Sequence, residues 1–416
     1  MDKKIIITSL VIVPLLSLGT VKAADMDATR DSGVAERSRD DYQPLGIKIG
    51  GFKLEPSFEI ENEWNDNIFQ SQTEVIDDFV FHLRPSVNVI SEWSVHELAF
   101  SAGADVAQYV TNDDENKEDY SFNVSGRFDI LKDSFAQSYI SYAKAYEDRG
   151  SPDSVAGSIE PTEYQTFSGG VLLEHKTNRL RFRLFNDFNY TQYKNGRSQL
   201  IDIINDGRNR WDNRSTARVG YEINPGYEAY VSGSYNFVDY DRLTSGTERS
   251  SDGYEFSAGV ALDFTGKLVG DFYIGYREQL FEVLDTIGDI TGGISLQWMP
   301  TGLTTVNVGL DRSIQETTQG TSPGSFVTAL SASVDHELLR NLLLNASVGY
   351  TYTEFEAGDE REDDSYNAGL SAKYLFNRNV FAKMGYEFST RNATANTALT
   401  SDFDVHSIFL TLGTQL

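Results

Sequence analysis

The chain has 416 residues, no cysteine and a formal net charge of −27 at pH 7. Because nucleic-acid binding requires a basic surface, a chain this acidic excludes nucleic acid as a partner. Without cysteine there is no disulfide scaffold, a metal site would have to use histidine or carboxylates, and we expect neither a metal nor another cofactor.

The first residues have the pattern of a secretory signal. Two lysines precede an apolar stretch, and "VKA" at residues 21–23 has the small-x-small form of a cleavage site. The apolar stretch is too short to cross a bilayer as a helix. We therefore predict a signal peptide over residues 1–23, which directs the chain across the inner membrane.

Residues 24–46 are polar and show no periodicity, which predicts a flexible periplasmic N-terminal arm. Over residues 47–416 the pattern changes to an alternation of apolar and polar residues, which is typical of strands whose side chains point to opposite faces. In "FKLEPSFEIENEW" (residues 52–64), one face is aromatic and aliphatic and the other carries four glutamates. We predict that residues 47–416 form a single β domain.

Counted in this way, the chain contains 18 strands. They begin near residues 49, 76, 96, 120, 136, 163, 180, 211, 227, 254, 268, 290, 303, 326, 341, 365, 379 and 402. The connections alternate between short turns, such as "NPG" at residues 224–226, and long polar segments, such as residues 147–161. This alternation predicts an up-and-down meander and not a Greek key.

The two faces of these strands favour a membrane barrel. The apolar face is almost free of charge, whereas the other face mixes acidic, basic and small polar residues. A sheet survives in hydrocarbon only when it closes, with lipid outside and a polar interior. We predict an all-β, transmembrane antiparallel up-and-down β-barrel of about 18 strands, with short periplasmic turns and long extracellular loops. A soluble propeller would instead show repeats of fixed length.

This fold predicts a location in the bacterial outer membrane, with outer-membrane lipid and lipopolysaccharide as its surroundings. The final segment "HSIFLTLGTQL" puts Ile408, Leu410, Leu412 and Leu416 on one apolar face. Barrels that the outer-membrane assembly machinery inserts commonly end on such a face, usually with a final aromatic residue. We expect that machinery to be a partner, although Leu416 departs from the aromatic ending.

Eighteen strands enclose more space than side chains fill, so we expect an aqueous lumen whose wall sets selectivity. The candidate lumen-lining residues are Glu55, Glu59, Glu61, Glu63, Arg84, Arg127, Arg181, Arg183, Arg214 and Arg218. An acidic stripe on strand 1 and a basic patch on strands 7 and 8 would create a transverse field across the pore. Alternatively, these charges pair with inward neighbours such as Asp187, Asp212 or Glu222 and stiffen the wall. Because arginine suits carboxylate and phosphate groups, an anionic sugar polymer is a candidate solute.

Two prolines fall within the first two strands in similar contexts, "LEPSF" and "LRPSV". Because proline lacks the N–H that a strand ladder uses, we predict a bulge or kink at Pro56 and at Pro85. The two would mark either a shared weak point at one height of the wall or two unrelated irregularities.

Signals of catalysis are weak, and we expect no enzyme activity and no catalytic residue. The segment "GTSPG" (residues 320–324) matches G-x-S-x-G, but its Gly/Ser/Thr/Pro surroundings are not those of a strand-to-helix elbow. The five histidines, at positions 82, 96, 175, 336 and 406, fall on separate strands without metal or triad spacing. Among them, we expect His82 to face the lumen.

The segments "GFKLEPSFEIENEWNDNIF" and "LRPSV", with the hairpins that follow them, resemble the β-barrel porin 2-like family of outer-membrane porins, which is associated with exopolysaccharide biosynthesis and export clusters. The resemblance covers essentially the whole chain after the signal. It implies an outer-membrane conduit for an exopolysaccharide made by a Wzx/Wzy-type pathway, working with periplasmic and inner-membrane export partners.

Two alternatives stay open beside polysaccharide export. One is a nutrient-uptake porin for small sugars or organic acids, and the other is a structural or adhesive barrel whose acidic loops are the working surface. An uptake porin usually folds a long loop inward as a constriction. Because no loop in this chain exceeds about 16 residues, loop length favours the wider export pore.

Overall fold

The computed structural model describes residues 33–73, 75–151, 154, 158–198, 202–244, 246–264, 266–318, 322–356, 361–394 and 402–416. The predicted signal peptide, residues 1–23, lies outside these ranges. Within them, no helix has both the length and the apolar character needed to cross a bilayer.

Eighteen long strands in the described part of the chain form one closed antiparallel sheet. Each strand pairs with its neighbours in sequence, and β18 pairs back onto β1 to close the barrel. The strands are β1 Phe52–Asn65, β2 Asp78–Ser91, β3 Glu97–Tyr109, β4 Lys117–Leu131, β5 Ser134–Tyr146, β6 Glu163–Thr177, β7 Leu180–Tyr193, β8 Arg210–Asn224, β9 Tyr227–Tyr240, β10 Ser251–Phe264, β11 Leu268–Phe281, β12 Ile287–Thr301, β13 Thr304–Glu316, β14 Gly324–Leu339, β15 Leu342–Phe355, β16 Glu362–Leu375, β17 Val380–Ala393 and β18 Phe403–Gln415.

The predicted fold class is confirmed, and each predicted strand starts within three residues of an observed one. The short turns lie together at one end of the barrel, such as the two residues between β8 and β9. The longer connections lie at the other end and include two short 3-10 helices, Asp113–Glu115 and Asp206–Arg208. A three-residue strand, Ile47–Ile49, precedes the barrel and pairs with the beginning of β1.

The strand faces explain why the sheet closes as it does. On β10, Tyr254 and Phe256 are exposed on the outer face, whereas Glu255 between them is buried on the inner face. On β2, Phe79 and Phe81 are likewise exposed. An outer surface of large apolar side chains is stable against hydrocarbon and unstable against water, so this surface is the lipid-facing band of the wall.

Aromatic side chains pair on the outer face near the ends of the strands. Tyr190 and Trp211 have ring centroids 4.6 Å apart near the long-loop end, and Phe52 and Trp93 are 5.5 Å apart near the short-turn end. Such rings place an apolar body in lipid and a polar edge at the headgroups. They mark the two boundaries of the membrane-spanning band.

Of the bulge or kink predicted at each proline, the bulge is wrong. The register between β1 and β2 is continuous along both strands. The ladder between β2 and β3 skips Arg84 and Pro85 but keeps the same register on both sides of the gap. Pro56 lies one residue beyond the Ser57–Gln415 pair, at which the ladder between β1 and β18 stops. Each proline therefore occupies a position where one neighbouring ladder is missing, and no extra residue is needed.

Candidate functional site

The acidic stripe predicted on β1 lies on the lumen side of the wall. The side chains of Phe58 and Ile60 are exposed on the outer face, which places the alternate residues on the inner face. That inner set contains the predicted residues Glu55, Glu59, Glu61 and Glu63. Glu55 and Glu61 are buried, so the stripe is partly covered by neighbouring side chains.

Basic side chains compensate part of this stripe. Nζ of Lys53 lies 2.8 Å from Oε1 of Glu55. Arg84 on β2 donates from Nη1 to Glu61 at 2.7 Å and from Nε to Asp105 on β3, also at 2.7 Å. One guanidinium therefore links carboxylates on both neighbouring strands.

The predicted arginines of β7 also face the lumen, and each meets a carboxylate. Nε of Arg183 donates to Oε2 of Glu174 at 2.6 Å. Nε of Arg181 is 3.2 Å from Oε2 of Glu228 on β9, and its Nη1 is 3.7 Å from Glu174. Glu174 thus serves both arginines.

The arginines of β8 reach further along the wall. Arg214 donates to Glu255 on β10 at 2.5 Å, passing the small inward side chains of β9. Arg218 lies 3.3 Å from Asp271 on β11, and its guanidinium sits 3.2 Å from the centre of the Tyr230 ring. These contacts cross one or two intervening strands.

The remaining predicted residue, Arg127 on β4, also has a local partner. Its Nε donates to Asp129 at 2.9 Å, and its guanidinium stacks 3.9 Å above the Phe135 ring. The observed arrangement is the paired one, which the sequence left open as an alternative to a transverse field.

The partners differ from those suggested by the sequence. Asp212 pairs with Arg210 at 3.3 Å, and Glu222 pairs with Lys176 at 2.7 Å. The alternation of polar positions points to Glu174, Glu228, Glu255 and Asp271 as inward residues. It does not say which arginine each one meets, because that depends on register and on the size of the side chains between them.

A loop at the long-loop end of the barrel reaches a distant strand. This mouth loop, residues 147–162, connects β5 to β6, and the structure describes its residues 147–151, 154 and 158–162. The carbonyl oxygen of Gly150 accepts a hydrogen bond from Nη1 of Arg391 on β17 at 2.5 Å. Around the 18-strand ring, β5 and β17 are six positions apart by the shorter route, so this contact joins two well-separated parts of the rim.

Arg149 holds the mouth loop in place. Its guanidinium pairs with Glu115, a residue only 1 % exposed in the β3–β4 loop. The same guanidinium donates to the carbonyl oxygens of Ser158 at 2.7 Å and Ile159 at 2.9 Å, and lies 5.7 Å from the Phe69 ring centre. Three loops therefore meet at one half-buried cation.

The expectation that loops of this length favour a wide pore stays a prediction, but the mouth loop is long enough to reach β17. The β3–β4 and β1–β2 loops beside it supply Glu115 and Phe69 as contacts for Arg149. The second anchor is at the start of the loop, where Arg208 of the β7–β8 loop lies 2.6 Å from Glu147.

The opposite end of the lumen is narrowed by the N-terminal segment, residues 33–46. The backbone N–H of Val34 donates to Oγ1 of Thr305 on β13 at 2.8 Å, and Val34 is 2 % exposed. Arg39 pairs with Glu337 on β14 at 2.9 Å. The segment then continues to Gly46, beside Lys53 of β1. It therefore contacts the wall at two separate places near the short turns.

The closed barrel, its apolar outer band and its charged lumen define an outer-membrane β-barrel porin. The chain belongs to the family described as "Putative beta-barrel porin 2", whose model matches residues 40–416. Proteins of this class reside in the outer membrane and form transport channels. A comparison with curated proteins finds no significant match.

Several solved structures are similar to this chain. OpdO of Pseudomonas aeruginosa is 12% identical, with a TM-score of 0.43, covering 87% of this chain and 97% of that one. OpdK of the same organism, in a structure with vanillate, is 10% identical with a TM-score of 0.43, covering 87% and 99%. The ferric citrate transporter FecA, unliganded, is 8% identical with a TM-score of 0.47, covering 92% and 80%.

Proposed function

We propose that this porin admits small polar solutes, of the size of sugars or organic acids, and does not conduct an extended polysaccharide. The observation that supports this most directly is the contact between Gly150 of the mouth loop and Arg391 of β17. A chain polymer needs a continuous wide bore, whereas a small solute passes beside a loop that is fixed at the rim on two sides. The uptake alternative raised by the sequence is therefore favoured over export.

The lumen wall suits such solutes. Acidic and basic groups alternate along it and are held in fixed positions by their pairing, as with Arg183 and Glu174. A hydrated polar solute exchanges hydrogen bonds with such a wall without meeting a large field of one sign. We also propose that lipopolysaccharide surrounds the loops and that the outer-membrane assembly machinery inserts the barrel. The signal peptide over residues 1–23 is removed before insertion.

The test is to release the mouth loop and measure the pore. Arg149→Ala combined with Arg391→Ala removes the guanidinium contacts with Glu115 and with the carbonyl oxygen of Gly150, and Arg242→Ala serves as a control because Arg242 pairs with Asp206 on an exposed surface. In planar bilayers, we expect the double variant to show a higher single-channel conductance than the wild type and the control. In liposome swelling, we expect it to admit larger oligosaccharides.

Heat-modifiable gel mobility would first confirm that each variant is folded. A wild-type barrel that already admits long oligosaccharides as readily as monosaccharides would overturn the proposal. In the native bacterium, clean deletion should leave surface polysaccharide unchanged and slow growth on a limiting small sugar or organic acid. Loss of surface polysaccharide would instead establish the export role.

A further inference from the structure

We propose that Glu61, Glu63 and His82 form a binding site for a divalent transition-metal ion on the lumen wall. Each offers one ligand atom, and the three atoms lie within 4.8 Å of one another. Among the residues that the structure describes, this is the one group of three histidine and carboxylate side chains whose ligand atoms lie this close together. The argument for this site does not rest on the proposed uptake function.

The orientation of His82 is the first argument. Its Nδ1 lies 2.8 Å from Oδ1 of Asp105. Its Nε2 is buried and has no hydrogen-bond partner. Histidines that bind metals usually donate the other ring N–H to a carboxylate, which orients the ring and directs the free lone pair at the ion. Here Asp105 fills that role, and Nε2 is the free ligand atom.

The spacing between ligand atoms is the second argument. Nε2 of His82 is 3.5 Å from Oε2 of Glu63, which is too long for a good hydrogen bond. Two ligand atoms that each lie about 2.1 Å from a tetrahedral zinc ion are roughly 3.4 Å apart. The observed separation therefore fits two ligands of one ion better than a direct contact between the two side chains.

The carboxylates are held by neighbouring side chains. Glu61 accepts from Arg84 at 2.7 Å and from Oγ1 of Thr411 on β18 at 2.5 Å. The other oxygen of Glu63, Oε1, accepts from Ser407 at 2.8 Å. Such partners hold the metal-ligating side chains in the orientation that metal binding requires. They also place the site at the closure of the barrel, where β18, β1 and β2 meet.

The local charge favours a dication. Glu61, Glu63 and Asp105 contribute three negative charges and Arg84 one positive charge, so these four groups carry a net charge of −2 with a neutral His82. The competing arrangement is a protonated His82 that pairs with Glu63 and Asp105 without a metal. One imidazole with two carboxylates suits Zn²⁺ or a similar transition-metal ion, whereas Ca²⁺ and Mg²⁺ prefer all-oxygen sites.

The test uses the full mature barrel in detergent, freed of metal by a chelator and titrated calorimetrically with ZnCl₂. We expect one zinc per wild-type barrel above weak binding to the acidic loops, and loss of that zinc in His82→Gln and in Glu63→Gln. Asp105→Asn should weaken it by about 10- to 100-fold, as loss of an orienting partner does elsewhere. His336→Gln is the matched control, because His336 contacts Thr304 at the short-turn end.

Heat-modifiable mobility verifies folding of each variant, and Asp105→Asn keeps the proposal testable if His82→Gln does not fold. Equal zinc binding by the wild type and the folded His82→Gln or Asp105→Asn variant would overturn the proposal and support the metal-free ion pair. A crystal soaked in ZnCl₂ with an anomalous peak between His82 and Glu63 would confirm it. None of these readouts measures transport, so the outcome is independent of the proposed uptake function.

Discussion

Glu174 shows how individual charges shape this lumen. Its carboxylate is 8% exposed and lies between two arginines, 2.6 Å from Nε of Arg183 and 3.7 Å from Nη1 of Arg181. Arg181 has a second carboxylate, Glu228, at 3.2 Å. Because a buried charge interacts strongly in a low-dielectric wall, removing one member of this group changes the field that a solute meets.

Glu174→Gln is expected to make the pore more permeable to anions. The substitution keeps the size of the side chain and removes one negative charge, which leaves the positive charge of Arg183 without its close counterion. The reversal potential in a KCl gradient should therefore shift toward the chloride value. Glu92→Gln is the control, because Glu92 pairs with Lys48 in a more exposed turn. An unchanged reversal potential in the folded variant would contradict a role of Glu174 in selectivity.

The strands show most directly how the sequence is adapted to the membrane. In the middle of β4, Val124 is 41% exposed on the outer face, whereas Ser125, the next residue, points to the lumen. Adjacent positions therefore face two different solvents. The same substitution at the two positions separates the cost of a charge in lipid from the cost of changing the strand.

Val124→Arg is expected to destabilise the barrel by roughly 2–4 kcal/mol, the range for an arginine at the bilayer midplane on a barrel surface. Ser125→Arg should cost much less, because its charge reaches water in the lumen. Reversible urea unfolding in lipid vesicles measures both free energies of unfolding. Similar losses at the two positions would show that Val124 does not face hydrocarbon.

Loops are the elements whose course is least predictable from their own sequence and length. The length of the mouth loop indicated an open pore, yet its direction is set by distant partners. The pairing of Arg149 with Glu115 and of Arg208 with Glu147 joins loops that follow different strands. No repeat or spacing in the sequence of the mouth loop identifies those partners.

At the scale of the whole molecule, the pore is narrowed at both ends. The mouth loop extends from β5 to β17 at one end, and the N-terminal segment, anchored by Arg39 on Glu337, narrows the other. Electrical resistances in series add, so releasing one constriction raises the conductance only in part. The two segments should therefore have separable effects on the current.

Deletion of residues 24–45 is expected to raise single-channel conductance while leaving the barrel folded. The deletion keeps Ile47–Ile49, which pairs with β1, and removes the contacts of Val34 and Arg39 with the wall. Arg39→Ala should produce a smaller change in the same direction. The deletion combined with the release of the mouth loop should conduct more than either change alone. An unaltered current after the deletion would show that the segment does not limit flow.

Much of the candidate site was predictable as a set of positions but not as a set of interactions. Alternation placed the glutamates of β1 and the arginines of β7 and β8 on the polar face. The directly opposed pair of Glu174 and Arg183 follows from the register between β6 and β7. The contact of Arg214 with Glu255 requires in addition that β9 carry only small inward side chains at that height. A sequence pattern does not contain that information.

The amino-acid sequence by itself determined the class of fold, the number of strands and, for most strands, the face that each residue presents. The physical reason is that a strand in hydrocarbon must alternate apolar and polar side chains and must pair its backbone with neighbouring strands. The alternating residues and the hairpin turns in the sequence reflect these two requirements. Only the tertiary structure decided which charges meet and where the pore is narrow. Gly150 and Arg391 are 241 residues apart in sequence, and only the curvature of the closed sheet brings them into contact.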